Sequence, residues 1–184
     1  MHVAAICGSL RRGSYNRLLL RNAIERAPAG LTFEEVAIRD FPPYDDDLAA
    51  EAFPEAVTAA KERIQAADGL LLVTPEYNFG VPGVLKNAVD WLSRPYTDTT
   101  LRGRPTGVIG ASTGWAGTVR AQMAWRQTFD FLKSPVFEGH AVHVSMAANV
   151  FDADGRLVNE LLLRDLDTYL ALFAEWLERI GCMG

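Results

Sequence analysis

The chain has 184 residues, of which 49% are hydrophobic and 22% are charged, a composition typical of one globular domain with its own core. Its net charge of −5 argues against non-specific nucleic-acid binding, which depends on an excess of Lys and Arg. The two cysteines lie far apart and the three histidines form no ligand cluster, so we expect neither a disulfide framework nor a metal site.

In chain order, apolar runs alternate with segments of helical periodicity. The first run, Val3–Cys7, is continuously apolar and is halted by a glycine, which is typical of a strand buried on both faces. The next segments predict a helix, a second strand, an acidic loop, a helix and a third strand, over residues 16–27, 32–38, 41–47, 54–67 and 69–74.

The second half continues the same alternation. It predicts a helix, a strand, a helix, a weaker strand and a last helix, over residues 82–92, 106–111, 118–132, 141–146 and 157–180. Five strands alternating with five helices predict an α/β fold with a parallel sheet covered by helices on both faces. We find no repeat or linker, so we expect a single domain over residues 1–184.

The loop after the first strand, Gly8–Asn16, opens onto a predicted helix. Free backbone N–H groups and the helix dipole attract a phosphate to such a position. Ser9, Ser14 and Asn16 could donate hydrogen bonds to it, and Arg11 could add a charged contact. The alternative is that Ser14 only caps the helix and the arginines are solvated. The loop is neither GxGxxG nor Walker A, which disfavours dinucleotide binding of the Rossmann type.

The loop after the third strand, Thr74–Gly83, contains two prolines and two glycines that fix an irregular backbone. Its N–H and C=O groups around Glu76 to Asn78 could meet the edge of a flavin ring, which alternates donors and acceptors. Tyr77 or Phe79 could cover the plane of the ring. The alternative is a surface turn that positions the following helix.

The loop after the fourth strand, Ala111–Gly117, is rich in small residues that permit a backbone to approach a planar ligand closely. Ser112 could donate to the edge of that ligand. Trp115 could lie over the ligand or pack in a lid, and the sequence leaves both open. Because ligands of parallel α/β sheets bind beyond the carboxyl ends of the strands, we expect these three loops to form one site.

The motifs in these loops resemble those of the NADPH-dependent FMN reductase family, which includes quinone, chromate and azo-dye reductases. They are Gly-Ser-Leu-Arg from Gly8, Pro-Glu-Tyr-Asn from Pro75, Leu-Lys-Asn-Ala from Leu85 and Arg-Ala from Arg120. The resemblance covers essentially the whole chain and implies a three-layer flavodoxin-like fold with strand order 2-1-3-4-5. The sequence departs from the family pattern in the third loop, at residues 113–118.

The resemblance also implies a non-covalent FMN, two-electron transfer from NADPH or NADH, and dimers or tetramers built around the cofactor. The cofactor residues that it implies are Ser9, Arg11, Ser14, Asn16, Pro75, Glu76, Tyr77, Asn78, Phe79, Ser112 and Gly114. Because the flavin itself carries the hydride, we expect no catalytic acid or base and no histidine near the three loops. Glu76 is expected to orient its neighbours or to lie at an interface.

Several alternatives remain at this stage. A flavodoxin-like one-electron carrier would bind FMN without nicotinamide turnover, and a binding protein or phosphate sensor would show binding without turnover. A hydrolase is the weakest alternative, since no Gly-x-Ser-x-Gly motif is present.

For partners, we expect a small acceptor (flavin, quinone, chromate or azo compound), no nucleic acid and no membrane. A homodimer or homotetramer is predicted because large aromatic residues, which are enriched at interfaces, lie on or beside the helices that flank the site: Trp91, Tyr96, Trp125 and Phe129. No basic region precedes the first apolar run and no apolar run could cross a bilayer, so a cytoplasmic location is expected.

Overall fold

The computed structural model describes residues 1–182, which contain one five-stranded sheet in the order β2-β1-β3-β4-β5. Every pair of neighbouring strands is parallel. The strands are β1 His2–Cys7, β2 Thr32–Glu35, β3 Gly69–Val73, β4 Thr106–Ala111 and β5 His143–Val144. The predicted parallel sheet and its strand order are confirmed.

Residues 1–182 also contain six α-helices, one more than predicted. They are α1 Tyr15–Glu25, α2 Asp46–Glu51, α3 Glu55–Ala66, α4 Gly83–Leu92, α5 Val119–Phe131 and α6 Glu160–Gly181. The additional helix, α2, begins inside the segment that the sequence predicted as an acidic loop. Asp45 caps it by accepting hydrogen bonds from the backbone N–H groups of Asp47 and Leu48.

The remaining differences from the prediction are at the ends of elements. The second strand was predicted to reach Ile38, but β2 ends at Glu35, after which the backbone N–H of Val36 still donates to Ala5 of β1 at 2.8 Å. The fifth strand was predicted over 141–146, but β5 pairs with β4 through two residues. The last helix begins at Glu160 and not at Leu157, because Asn159 caps it with its side-chain oxygen.

The sheet is covered on both faces. α1 and α6 pack on one face, where Leu19, Leu170 and Phe173 belong to one buried cluster. α3, α4 and α5 pack on the other, where Ile64 and Leu85 belong to a second. The central strands are buried on both sides, which explains why their sequences are continuously apolar.

Three aromatic residues predicted at an interface lie instead in the core of the chain. Trp91, Trp125 and Phe129 are each 0% exposed. Trp91 Nε1 donates to the carbonyl of Pro42 at 2.8 Å, and Trp125 Nε1 donates to Thr74 Oγ1 at 3.1 Å. The assignment of these three residues to an interface was therefore wrong, because residues of the same chain enclose all three side chains. Within residues 1–182 no helix has the length and apolarity required to cross a membrane.

Candidate active site

The loops after β1, β3 and β4 meet at the carboxyl edge of the sheet and enclose two adjoining cavities of about 250 and 280 Å³, which share Glu76 and Ser112. The cavity beside the first loop is called here the hydroxyl cavity, and its lining includes Ser9, Arg11, Ser14, Asn16, Pro75 and Tyr77. The other is called the aromatic cavity, and its lining includes Asn78, Phe79, Gly114, Trp115 and Arg120. All eleven residues proposed from the sequence thus line one cavity or the other.

The hydroxyl cavity lies at the N-terminus of α1. Ser14 caps this helix, its Oγ accepting from the backbone N–H of Arg17 at 3.3 Å. Ser9 and Ser14 are buried, and each hydroxyl retains a proton to donate to a ligand. Arg11 is exposed, with its guanidinium carbon 5.1 Å from the centre of the Tyr15 ring. Capping by Ser14 and ligand binding are therefore compatible.

Asn16 has a structural role within the same cavity. Its Nδ2 donates to the carbonyl of Ala111 at 2.8 Å, and its Oδ1 accepts from the backbone N–H of Ala111 at 2.9 Å. Both side-chain polar atoms thereby bind the end of β4. Asn16 fixes the first loop against the third loop and leaves one amide proton for a ligand.

The second loop has a strained backbone. Asn78 and Phe79 adopt φ values of 49° and 66°, a left-handed conformation that is uncommon for residues with a Cβ. Two hydrogen bonds between the backbones of Tyr77 and Gly80, of 3.1 and 3.0 Å, close the turn around them. The turn leaves Phe79 71% exposed beside the cavity. Strain combined with an exposed aromatic ring indicates a binding loop in preference to a plain connecting turn.

Glu76 is a buried carboxylate that holds the start of α5. Its Oε2 accepts from the backbone N–H groups of Arg120 and Ala121 at 2.9 and 3.1 Å, and its Oε1 pairs with Arg120 Nη1 at 3.2 Å. The residue before α5, Thr118, makes no side-chain capping bond, so Glu76 provides the cap from another loop. A carboxylate held at both oxygens orients its neighbours, as expected from the sequence.

Trp115 lies on the rim of the aromatic cavity and is 80% exposed. The Arg120 guanidinium carbon is 4.0 Å from the centre of the Phe79 ring and 5.8 Å from that of the Trp115 ring. Both distances are within the range of cation–π attraction. Arg120, itself held by Glu76, therefore links the two exposed aromatic residues into one wall of the cavity.

The expectation that no histidine lies near the three loops is wrong. His143, in β5, packs against Gly117, where a Cβ would lie 3.1 Å from the His143 carbonyl carbon. Burial lowers the pKa of His143, and the charge of Arg126 lowers it further. Its Nδ1 is buried without a hydrogen-bond partner among residues 1–182. No local pattern predicts this contact, since Gly117 lies in the third loop and His143 lies in β5.

Residues 1–149 match the family model described as NADPH-dependent FMN reductase. The chain belongs to this family. An NAD(P)H-dependent FMN reductase from Pseudomonas aeruginosa is 43% identical to it, over 97% of this chain and 96% of that protein. A quinone reductase from Pseudomonas putida is 42% identical, over 96% of this chain and 94% of that protein.

The fold of the family is also found in solved structures. The flavoenzyme NAD(P)H:(acceptor) oxidoreductase from Paracoccus denitrificans has a TM-score of 0.89 and 35% identity, with 97% of each chain covered. A flavodoxin from Pseudomonas aeruginosa, 20% identical with a TM-score of 0.60, covering 97% of this chain and 99% of its own, shares the fold alone. These similarities confirm the flavodoxin-like fold and the predicted class, an oxidoreductase using FMN and NAD(P)H.

The donor set of the two cavities fits FMN. A helix N-terminus, two buried hydroxyls and a guanidinium suit a phosphate group. The strained backbone at Asn78 and Phe79, together with exposed aromatic rings, suits the edge and the face of a flat ring.

Proposed function

We propose that this chain is an NAD(P)H-dependent quinone reductase whose FMN lies across the hydroxyl and aromatic cavities. The observation that carries this proposal is the junction of the two cavities at Glu76 and Ser112. The junction joins a set of anion donors to a set of exposed aromatic residues, and FMN has a phosphate at one end and a planar ring at the other.

The phosphate end is assigned to Ser9, Arg11 and Ser14 with the N-terminus of α1. The two hydroxyls donate from buried positions, and the guanidinium adds charge from the rim. Asn16 acts chiefly by holding this loop against the end of β4, through its two bonds to Ala111.

The ring end is assigned to the second and third loops, through Pro75–Phe79, Ser112 and Gly114. When bound, FMN supplies the two-electron redox chemistry, accepting hydride from a reduced nicotinamide and returning electrons to an acceptor. The protein binds the cofactor and orients it. Glu76 fixes the second loop to α5. The Ser112 Oγ accepts from the backbone N–H of Gly114 at 3.0 Å, which shapes the third loop.

A quinone is the acceptor that the aromatic cavity favours among the candidates. Phe79 and Trp115 offer flat apolar surface, and Arg120 between them offers a cationic donor for a quinone oxygen. Relatives named quinone reductase, at 38 to 42% identity, support the same choice.

We also propose that the chain forms a homodimer or homotetramer and works in the cytoplasm. Of the four aromatic residues that the sequence suggested, only Tyr96 is exposed, and further support for assembly comes from two side chains that were not predicted. Met123 and Phe131 on α5 are 64% and 63% exposed, and the Phe131 ring lies beside that of Tyr96 with ring centres 5.6 Å apart and planes tilted by 39°.

Steady-state kinetics test the activity. Purified FMN-loaded protein is mixed anaerobically with NADPH, with and without 1,4-benzoquinone, and NADPH absorbance is followed. Sustained oxidation that requires the quinone is expected. A single reduction of the protein followed by no turnover would identify a one-electron carrier or a binding protein instead.

A double variant tests the phosphate assignment. Arg11→Ala with Ser14→Ala removes one charged and one neutral donor, so the dissociation constant of FMN should rise at least tenfold. Fluorescence titration of the apoprotein with FMN measures it. Circular dichroism checks the fold, since loss of the Ser14 cap alone costs about 1 kcal/mol. An unchanged FMN dissociation constant would show that the phosphate binds elsewhere.

A further inference from the structure

A third cavity of about 320 Å³ lies beyond the carboxyl ends of β1 and β2, on the other side of the first loop from the second and third loops. Four arginines line it, and we call it the arginine cleft: Arg11, Arg12, Arg17 and Arg39. Arg11 lines the hydroxyl cavity as well, so the two spaces are neighbours across the first loop. None of the functions assigned above uses Arg12 or Arg39.

The arginine cleft is cationic in a chain whose net charge is −5. Its lining includes two carboxylates, Glu35 and Asp40, against the four arginines. Arg17 forms an ion pair with Glu35, which neutralises both. Arg12 and Arg39 have no carboxylate partner within 4.0 Å among residues 1–182, and neither has Arg11. An excess of unpaired guanidinium groups around a cavity attracts a multiply charged anion.

Arg39 connects the wall of the cleft to the first loop. Its Nη2 donates to the carbonyl of Leu10 at 2.8 Å, so the chain after β2 and the chain after β1 are joined at this point. The guanidinium keeps further N–H donors for a ligand, because Arg has five. The cleft is therefore shaped by its own contacts and is not merely a gap between mobile side chains.

The position of the cleft suits the far end of a dinucleotide. The aromatic cavity belongs to β3 and β4, and the arginine cleft belongs to β2 and β1. With strands about 4.8 Å apart, the two sites are separated by roughly 10 Å along the edge of the sheet. A dinucleotide with its nicotinamide at the aromatic cavity can extend across the first loop to the cleft.

We infer that the arginine cleft binds the 2′-phosphate of NADPH through Arg12 and Arg39, and so gives this enzyme a preference for NADPH over NADH. The inference rests on the proposed function. NADPH carries a phosphate dianion where NADH carries a neutral hydroxyl. Only NADPH can therefore form charge-assisted hydrogen bonds with the two guanidinium groups at this position. The pyrophosphate is common to both nucleotides and cannot discriminate between them.

Equilibrium binding to the FMN-loaded protein tests the inference without turnover. NADP⁺ and NAD⁺ are titrated by calorimetry into the wild type, Arg12→Ala and Arg39→Ala. The matched control is Arg102→Ala. It removes one exposed charge from the segment before β4, at the amino ends of the strands and so away from the cleft. FMN content is measured by absorbance for each protein, because Arg39 also contacts the first loop.

We expect each cleft variant to bind NADP⁺ about tenfold more weakly, the loss typical of one charge-assisted contact, and to bind NAD⁺ within twofold of the wild type. Arg102→Ala should bind both as the wild type does. Equal weakening of NADP⁺ and NAD⁺, or no weakening of either with FMN content intact, would overturn the inference. Failure of the proposed function is a distinct result, since the wild type would then lack FMN or fail to oxidise NADPH.

Competition distinguishes the dinucleotide from free phosphate as the ligand. Adenosine 2′-phosphate and inorganic phosphate are each tested for displacement of NADP⁺ from the wild-type holoprotein. Displacement by adenosine 2′-phosphate at concentrations where inorganic phosphate has no effect supports the inference. Equal displacement by both would assign the cleft to free phosphate and would contradict it.

Discussion

Glu76 has its carboxylate buried, with both oxygens bound to the first turn of α5 and to the Arg120 side chain. A buried acceptor in this position satisfies backbone N–H groups that would otherwise lack partners. The same contact positions Arg120 between Phe79 and Trp115, so the stability of α5 and the shape of the aromatic cavity depend on one side chain.

Glu76→Gln should therefore destabilise the protein by about 1–3 kcal/mol, because the ion pair is lost and an amide group is placed among donors. Urea unfolding followed by circular dichroism measures the change in the free energy of unfolding. The control is Glu138→Gln, which removes an exposed carboxylate 3.7 Å from Arg126 and should change stability by less than about 0.5 kcal/mol. Equal effects of the two substitutions would contradict the capping role of Glu76.

His143 should make stability depend on pH. Burial and the charge of Arg126 lower its pKa below the ordinary value of 6.5. In the unfolded chain the imidazole takes up a proton near that ordinary value, whereas in the folded protein it stays neutral to lower pH. The unfolded state thus binds more protons below about pH 6.5, and the free energy of unfolding falls as the pH falls through this window.

The variant His143→Gln removes this proton uptake and should flatten the dependence. Melting temperatures of the two proteins are compared between pH 7.5 and pH 5 at constant ionic strength. A variant with the same slope as the wild type would show that His143 does not contribute.

The eleven candidate site residues could be predicted because each follows the carboxyl end of an apolar strand, and such ends share one edge of a parallel sheet. Their partners could not be predicted. Asn16 binds Ala111, 95 residues away, and Glu76 binds Arg120, 44 residues away, and no local pattern encodes either contact. Whether the eleven residues bind FMN stays a prediction.

Among the elements, β4 is tightly enclosed near the site. At Gly110 a Cβ would overlap the carbonyl oxygen of Thr74 and the Oγ1 of Thr118. The end of β4 therefore approaches the end of β3 and the start of α5 so closely that the position accommodates glycine alone.

Gly110→Ala should destabilise the protein by about 1–3 kcal/mol, since a methyl group must displace backbone. The matched control is Gly83→Ala at the first residue of α4, where a Cβ meets nothing within 4 Å and alanine is the better helix former. Denaturant titration of both variants measures the difference. A Gly110 variant as stable as the Gly83 variant would refute the close packing of β4.

Among the strands and helices, buried elements were predicted well from the sequence and edge elements poorly. β1, β3 and β4 are buried on both faces, so their apolar runs mark them clearly. β2 and β5 are edge strands that pair on one side, and they are shorter than their apolar patterns suggested. α2 was missed because an acidic segment rich in Asp resembles a loop until the cap at Asp45 is seen.

For the whole molecule, the residues that could form a contact between subunits were the feature predicted least well from the sequence. Three aromatic residues predicted at an interface lie in the core, yet Met123, Phe131 and Tyr96 remain exposed on and beside α5. A group of large exposed side chains is typical of a contact surface. The fold itself could be predicted from the alternation of strands and helices, whereas the proposed contact surface has no periodic signal.

Light scattering at micromolar concentration should therefore give the mass of a dimer or tetramer. Met123→Glu with Phe131→Glu should shift the mass towards that of the 20.2 kDa monomer, because charges would be buried in the contact. A monomeric wild type would refute the proposed assembly, and an unshifted variant would place the contact elsewhere.

We have proposed that the three loops at one edge of the sheet hold an FMN that a reduced nicotinamide can reduce. The decisive measurement is an absorption spectrum of the purified protein, recorded anaerobically before and after addition of NADPH. We predict a bound yellow chromophore that bleaches on addition of NADPH. A colourless protein that takes up no added FMN would show that these loops are not a flavin site.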